Sequence, residues 1–239
     1  MRIALFLIAC AALLLCQHVT GQQDGLLNKL LRITGISATP SQQKAPSEEI
    51  EAAGEIWISN VKTGTLQRLG HEDGFRSPIF GPNDETVLAV KGETLWRLSL
   101  QTSTASKMHQ VAGLTKVVGI DRQDSDKILV LIKRNSSTAP ALLSLATGGI
   151  TKISYDANSR NDRKLLNHLK GWERVYGDTT VYPRTQTRET VSGTSEWQDV
   201  FLKKDDTAPV NVSHCDGANC GQPSLSGDGT KVVFIRTNL

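Results

Sequence analysis

Pro223-Ser-Leu-Ser-Gly-Asp-Gly-Thr-Lys-Val-Val-Phe-Ile235 keeps step with Pro78-Ile-Phe-Gly-Pro-Asn-Asp-Glu-Thr-Val-Leu-Ala-Val90. Each runs from a proline through a short apolar stretch into an acidic turn and then a second apolar stretch, which reads as strand, turn and buried strand. The segments leading into them also agree, Leu69-Gly-His-Glu-Asp-Gly74 against Val212-Ser-His-Cys-Asp-Gly217. A looser copy spans Val118 to Ile132, and the faintest runs from Trp172 to Tyr182.

A second unit, strand, Thr-Gly-like turn, strand, alternates with the first. It occurs from Trp57 to Leu69, from Trp96 to Met108 and from Ala141 to Ile153, with Thr63, Thr102 and Thr147 in register, as are Arg68, Lys107 and Lys152. A diverged copy runs from Asp199 to Val212. Residues 55–239 thus hold four units of about 46 residues, a period that points to propeller blades. The chain opens with a second half-unit and stops with a first. In a closed ring these orphan hairpins make up one blade and leave no exposed sheet edge. The expected fold is all-β: a small β-propeller of about four four-stranded blades, closed where the strand near Ile56 meets the strand near Val232. A ring completed by a second copy of the chain is the alternative.

The run from Pro223 to Phe234 resembles the Pro-x-Trp-Ser-Pro-Asp-Gly signature of TolB-like propellers, which are WD40-like and also similar to the propeller domains of prolyl oligopeptidase relatives. Pro78 to Ala89 resembles it too. Phe80 and Leu225 stand where tryptophan is usual, and the count is four blades where six or more are common. The resemblance implies a bacterial envelope protein in the periplasm.

Before the repeats, Arg2 precedes an apolar run from Ile3 to Leu15, and Val19-Thr20-Gly21 offers small residues to a peptidase, so residues 1–21 read as an export signal. That run is too short for a lasting membrane span. Cys16 after Leu13-Leu14-Leu15 loosely resembles a lipobox, which leaves a lipid anchor at Cys16 as a second reading. Residues 22–54, with Pro40, Pro46 and the acidic Glu48, Glu49 and Glu51, read as a flexible tether. In it Leu26, Leu27, Leu30, Leu31 and Ile33 have the spacing of a short helix. Cys215 and Cys220, four residues between them, are expected to pair as a disulfide after export. A thiolate metal site would need more ligands than these two and His214.

The 239 residues are 38% hydrophobic, 21% charged and 5% aromatic, which excludes collagen-like, coiled-coil and wholly disordered chains. Twenty-seven Lys and Arg stand against 24 Asp and Glu, and the basic residues are scattered, so nucleic acid is not an expected partner. No nucleophile-elbow pattern occurs. Asp121, Asp124 and Asp126 lack the glycine and distal Glu of a calcium loop and read as a solvated turn. Neither a cofactor nor a metal is expected. Asn135-Ser-Ser137 and Asn211-Val-Ser213 match the glycosylation pattern of a eukaryotic secretory pathway.

In the propeller reading, the links between blades and the middle hairpin turns share one face. That face is expected to carry His71, Asp73, Arg76, His109, Arg134, His168, Arg184, Arg188 and His214. The long loop from Pro183 to Trp197 and the linker from Asp156 to Lys170 are the insertions beyond a minimal blade, and Trp197 joins the candidate binding residues. The expectation is an exported, secreted or periplasmic, non-catalytic propeller that binds or scaffolds a protein partner. The alternative is a carbohydrate-binding or lyase-like propeller with its site in the central channel, where Trp172 and Trp197 are candidates for stacking.

Overall fold

The computed structural model describes residues 52–120, 124–135, 137–156, 158–169 and 172–238. The expected export signal, Cys16, residues 22–51 of the expected tether and Asp121 lie outside the described residues. Chain order runs β1 (Glu55–Asn60), β2 (Leu66–Leu69), β3 (Phe75–Phe80), β4 (Thr86–Lys91), β5 (Thr94–Ser99) and β6 (Ala105–Gln110). Next are β7 (Leu114–Ile120), β8 (Lys127–Arg134), β9 (Ser137–Ser144) and β10 (Ile150–Lys152). Helix α1 (Arg160–Leu169) and a 3-10 turn (Trp172–Arg174) lead into β11 (Val175–Tyr176), β12 (Thr179–Thr190), β13 (Gly193–Lys204) and β14 (Val210–Asn211). β15 (Asn219–Leu225) and β16 (Lys231–Thr237) follow.

The strands form four antiparallel sheets of four strands each, a four-bladed propeller. Blade 1 has the order β15-β16-β1-β2, blade 2 is β3 to β6, blade 3 is β7 to β10 and blade 4 is β11 to β14. Blade 1 joins the two ends of the repeat region: Glu55 to Asn60 pair with Arg236 to Lys231, and Ile56 lies opposite Ile235. The ring therefore closes within one chain, without a second copy. Around its axis β15 packs on β3 and β3 on β7, while the 3-10 turn packs on both β7 and β15.

The core lies between blades, in clusters shared by blades 1 and 2, by blades 2 and 3 and by blades 4 and 1. Ile56, Ile58, Leu69, Val233 and Ile235 of blade 1 meet Phe75, Phe80, Val87 and Leu98 of blade 2. Ile79, Leu88, Val90 and Leu95 meet Val117, Ile128, Val130 and Leu143 of blade 3. Val181, Val200 and Leu202 of blade 4 meet Val232, Phe234 and Leu225. Each such fully buried aliphatic or Phe side chain favours the fold by about 1.5–3 kcal/mol.

Both repeats have local physical causes. The residues before Pro78 and Pro223, Ser77 and Gln222, have φ of 50° and 53°, and both sit at a bulge in the inner strand. The repeated threonines stand in the outer hairpin turns. Asn60 Oδ1 accepts the amides of Lys62 and Thr63, Ser99 Oγ that of Thr102, and Ser144 Oγ that of Thr147. The next residue must turn left-handed, with φ of 68° at Gly64, 53° at Ser103 and 73° at Gly148, which explains the Thr-Gly preference.

Two expected segments differ. Pro183 to Trp197 is a paired hairpin, with β12 and β13 in register out to Thr190 opposite Gly193. Alternating Thr, Arg and Gln suits a strand exposed on both faces. Pro183 is tolerated because β11 covers only Thr179 and Thr180, so its missing N–H falls on an open edge. The linker carries α1, whose start is marked by Ser159: its hydroxyl accepts the Asp162 amide, while the Asp162 carboxylate accepts the amide of Asp156.

Candidate functional site

Strand direction alternates, so the links between blades and the middle hairpin turns emerge on one face, the upper face, and the other turns on the lower. His71 and Asp73 are exposed on the link between β2 and β3, where Arg68 donates to the His71 carbonyl at 3.0 Å. Arg76 donates to the Gly92 carbonyl, 3.3 Å away, in the next upper turn. Arg134 ends β8 beside the turn at Asn135, and His214 is exposed on the link after β14. His109 is drawn away from this group: its Nε2 lies 2.7 Å from the Leu145 carbonyl, between blades 2 and 3. His168 lies on α1, and its side chain is outside what the structure describes.

Arg184, Arg188 and Trp197 come together on one side of the β12–β13 hairpin. The Arg188 guanidinium lies 5.2 Å from the centre of the Trp197 ring and 3.7 Å from Asp216, and that of Arg184 lies 5.4 Å from the Phe201 ring. Exposed cation–ring contacts of this kind are worth roughly 0.5–1 kcal/mol each.

A buried carboxylate braces the base of this hairpin, a feature that sequence reading missed. Asp199, 3% exposed, accepts the Trp197 indole N–H at 2.9 Å, the Ser213 hydroxyl at 2.9 Å and the Cys215 amide at 2.7 Å. Ser213 Oγ in turn accepts the Val200 amide. Cys215 forms a disulfide with Cys220, and both are buried. Asn211 Oδ1 holds the turn by accepting the amides of Ser213 and His214. Ser213 and Cys215 thus tie the link after β14 to the hairpin, and Asp199 is the acceptor they share with Trp197. The signal available beforehand was Trp-x-Asp at Trp197 to Asp199, whose alternation puts both side chains on one face.

The channel is closed at its waist. Ser77 donates its amide to Gln222 Oε1 at 2.7 Å, and Gln222 Nε2 donates to the Ala52 carbonyl at 2.7 Å. The space left there, beside Glu173, Arg174 and Ser224, is about 20 Å³. On the lower face a cavity of about 250 Å³ opens between Phe80, Asp84, Glu173 and Gly227. Another of about 490 Å³ lies between blades 2 and 3, by Asn83, Arg97 and Asp126. The larger cavities therefore lie opposite the expected binding face.

Two lower-face carboxylates are held as anions. Hydrogen bonds from the Ser226 hydroxyl and the Thr230 amide lower Asp228 to about 2. Asp124 is lowered by its ion pair with Lys127. Among the described residues, no three His, Cys, Asp or Glu side chains converge as metal ligands, and no helix is long and apolar enough to cross a membrane.

No family model matches the chain, and no curated protein matches it. Solved structures similar to it include TolB from Agrobacterium tumefaciens, at 18% identity over 74% of this chain with a TM-score of 0.38. Oligogalacturonate lyase from Vibrio parahaemolyticus is 14% identical over 76% of this chain, with a TM-score of 0.33. Acylaminoacyl peptidase from Pyrococcus horikoshii is 14% identical over 66%, with a TM-score of 0.34. The matches span 60%, 52% and 27% of those structures' own chains.

Proposed function

We propose that the chain is an exported, non-catalytic propeller of the cell envelope, secreted or periplasmic, that binds or scaffolds another protein through its upper face. The observation that carries this reading is the β12–β13 hairpin. Its strands are 12 residues long, against 6 to 8 in the two middle strands of every other blade, and the added length is exposed on both faces. Exposed length that adds little to the core, yet is anchored by a buried carboxylate bonded to a disulfide-pinned link, suits recognition by a rigid projecting element. A ligand threading the channel is disfavoured because the space at the waist, about 20 Å³, has room for about one water molecule.

The test is capture from an envelope extract after mild crosslinking. The parent chain is expected to retain a discrete protein that is lost when Thr187–Glu196 is replaced by Asn-Gly, which cuts the hairpin back to ordinary length. Equal capture by both, or a discrete glycan-array signal in place of a protein, would overturn the reading.

A further inference from the structure

β12 has an open edge with a definite polarity. Val191 and Ser192 form a two-residue turn, so Thr190 and Gly193 are the closing hydrogen-bonded pair. Alternation along an antiparallel ladder then points the amides and carbonyls of Arg184, Gln186, Arg188 and Thr190 at β13, and those of Thr185, Thr187 and Glu189 away from it. On that far side β11 covers only Thr179 and Thr180. Among the described residues no strand pairs with Thr185, Thr187 or Glu189 there, and all three are exposed.

We propose that this edge pairs antiparallel with the same edge of a second copy of the chain about a two-fold axis, forming one sheet β13-β12-β12-β13 across two molecules. The partner follows from the residues along the edge. A two-fold axis normal to an antiparallel pair places one residue opposite itself. Centred on Thr187, Thr185 faces Glu189 and Gln186 faces Arg188, so no like charges meet and each copy donates three edge amides to the other. A centre at Gln186 sets Arg184 against Arg188, and a centre at Arg188 sets that arginine against itself, both repulsive. A centre at Thr185 brings Pro183, which has no N–H, opposite Thr187, and one at Glu189 runs the pair into the turn.

Arg184, Arg188 and Pro183 bar the other registers, as charged and proline residues do on edges that must not pair freely. The bodies lie at opposite ends of the shared sheet, and the contact is small, so the dimer belongs to the weak, concentration-dependent class. Partner capture by the upper face does not depend on it.

Sedimentation equilibrium of the full chain is expected to show a monomer–dimer equilibrium that Thr187→Pro weakens at least tenfold, with the circular dichroism and melting temperature of the parent retained. Oxidised Thr187→Cys is expected to give a covalent dimer absent from the identically treated parent, since directly opposed hydrogen-bonded residues lie about 5.5 Å apart, within disulfide range. Thr185→Cys should not, because the two copies of that residue are offset by roughly 13 Å along the strands. A monomer at every concentration, equal crosslinking at 185 and 187, or a dimer untouched by Thr187→Pro would overturn the proposal.

Discussion

Blade 1 and blade 4 solve opposite problems. Blade 1 is assembled from the two ends of the repeat region. Its inner strand, β15, spans seven residues and pairs along β16, and β1 pairs with β16 from Lys231 to Arg236. Blade 4 is continuous in sequence, yet its inner strand shrinks to the two residues of β11 after a 3-10 turn, and its middle strands run far past the core. What holds blade 1 is buried aliphatic surface on both faces. The projecting part of blade 4 is held at its base by polar bonds to a link that a disulfide pins. One blade keeps the ring shut and the other gives it reach, and each is braced by the kind of interaction its exposure allows.

The largest predicted effect breaks that contrast at blade 1. Val233→Asp places an unpaired carboxylate at a fully buried position between blades and is expected to cost about 4 kcal/mol or more, so that urea melts show no folded baseline. Val191→Asp at the exposed tip of blade 4 should change stability by less than about 0.5 kcal/mol. Asp199→Ala comes next. It leaves the Trp197, Ser213 and Cys215 donors without their acceptor and is expected to cost about 3 kcal/mol. Trp197 emission should shift to the red while blade 1 amides stay protected from exchange.

Cys215→Ser combined with Cys220→Ser opens a short ring and should cost about 2 kcal/mol, read as a lower midpoint in denaturant melts. Gly148→Ala should cost more than Gly64→Ala. Both positions are left-handed, which costs an alanine about 1 kcal/mol, but a Cβ at 148 meets the His109 ring at 2.8 Å and one at 64 meets nothing.

A small effect is that of Asp228, whose folded-state value of about 2 lies below the usual 3.8. A depressed carboxyl stabilises the fold above about pH 4 and loses that contribution as the pH falls toward 2. The group is exposed, so the effect is less than about 1 kcal/mol. Asp228→Asn should flatten that part of the pH–stability curve and leave the turn intact, because Asn83 already caps the matching turn of blade 2 by accepting the Glu85 amide.

Most of the fold was legible because the repeats are turn chemistry repeated. Thr63, Thr102 and Thr147 mark the same outer turn, and Pro78 and Pro223 the same inner bulge, and the order of half-units forecast the pairing of β1 with β16. Blade 4 was read least well for a physical reason: the faint copy from Trp172 to Tyr182 contains a 3-10 turn where a full inner strand was expected. The hairpin beyond Pro183 has no buried face to impose an apolar alternation, so it read as a loop. Helix α1 offered only three leucines, Leu165, Leu166 and Leu169, and the Ser159 and Asp162 capping pair was its clearest mark. Of the candidate face, exposure at His71, Asp73 and His214 could be reasoned from link positions. The withdrawal of His109 could not, since it depends on how blade 3 packs beside β6.

Ring closure is tested most directly by nuclear Overhauser contacts across the seam of blade 1. Strong contacts are expected between the Hα protons of Ile58 and Val233 and between those of Ile56 and Ile235, which lie directly opposite in the ladder. Their absence, with the amides of Val232 to Arg236 on the β1 side exchanging freely, would contradict it.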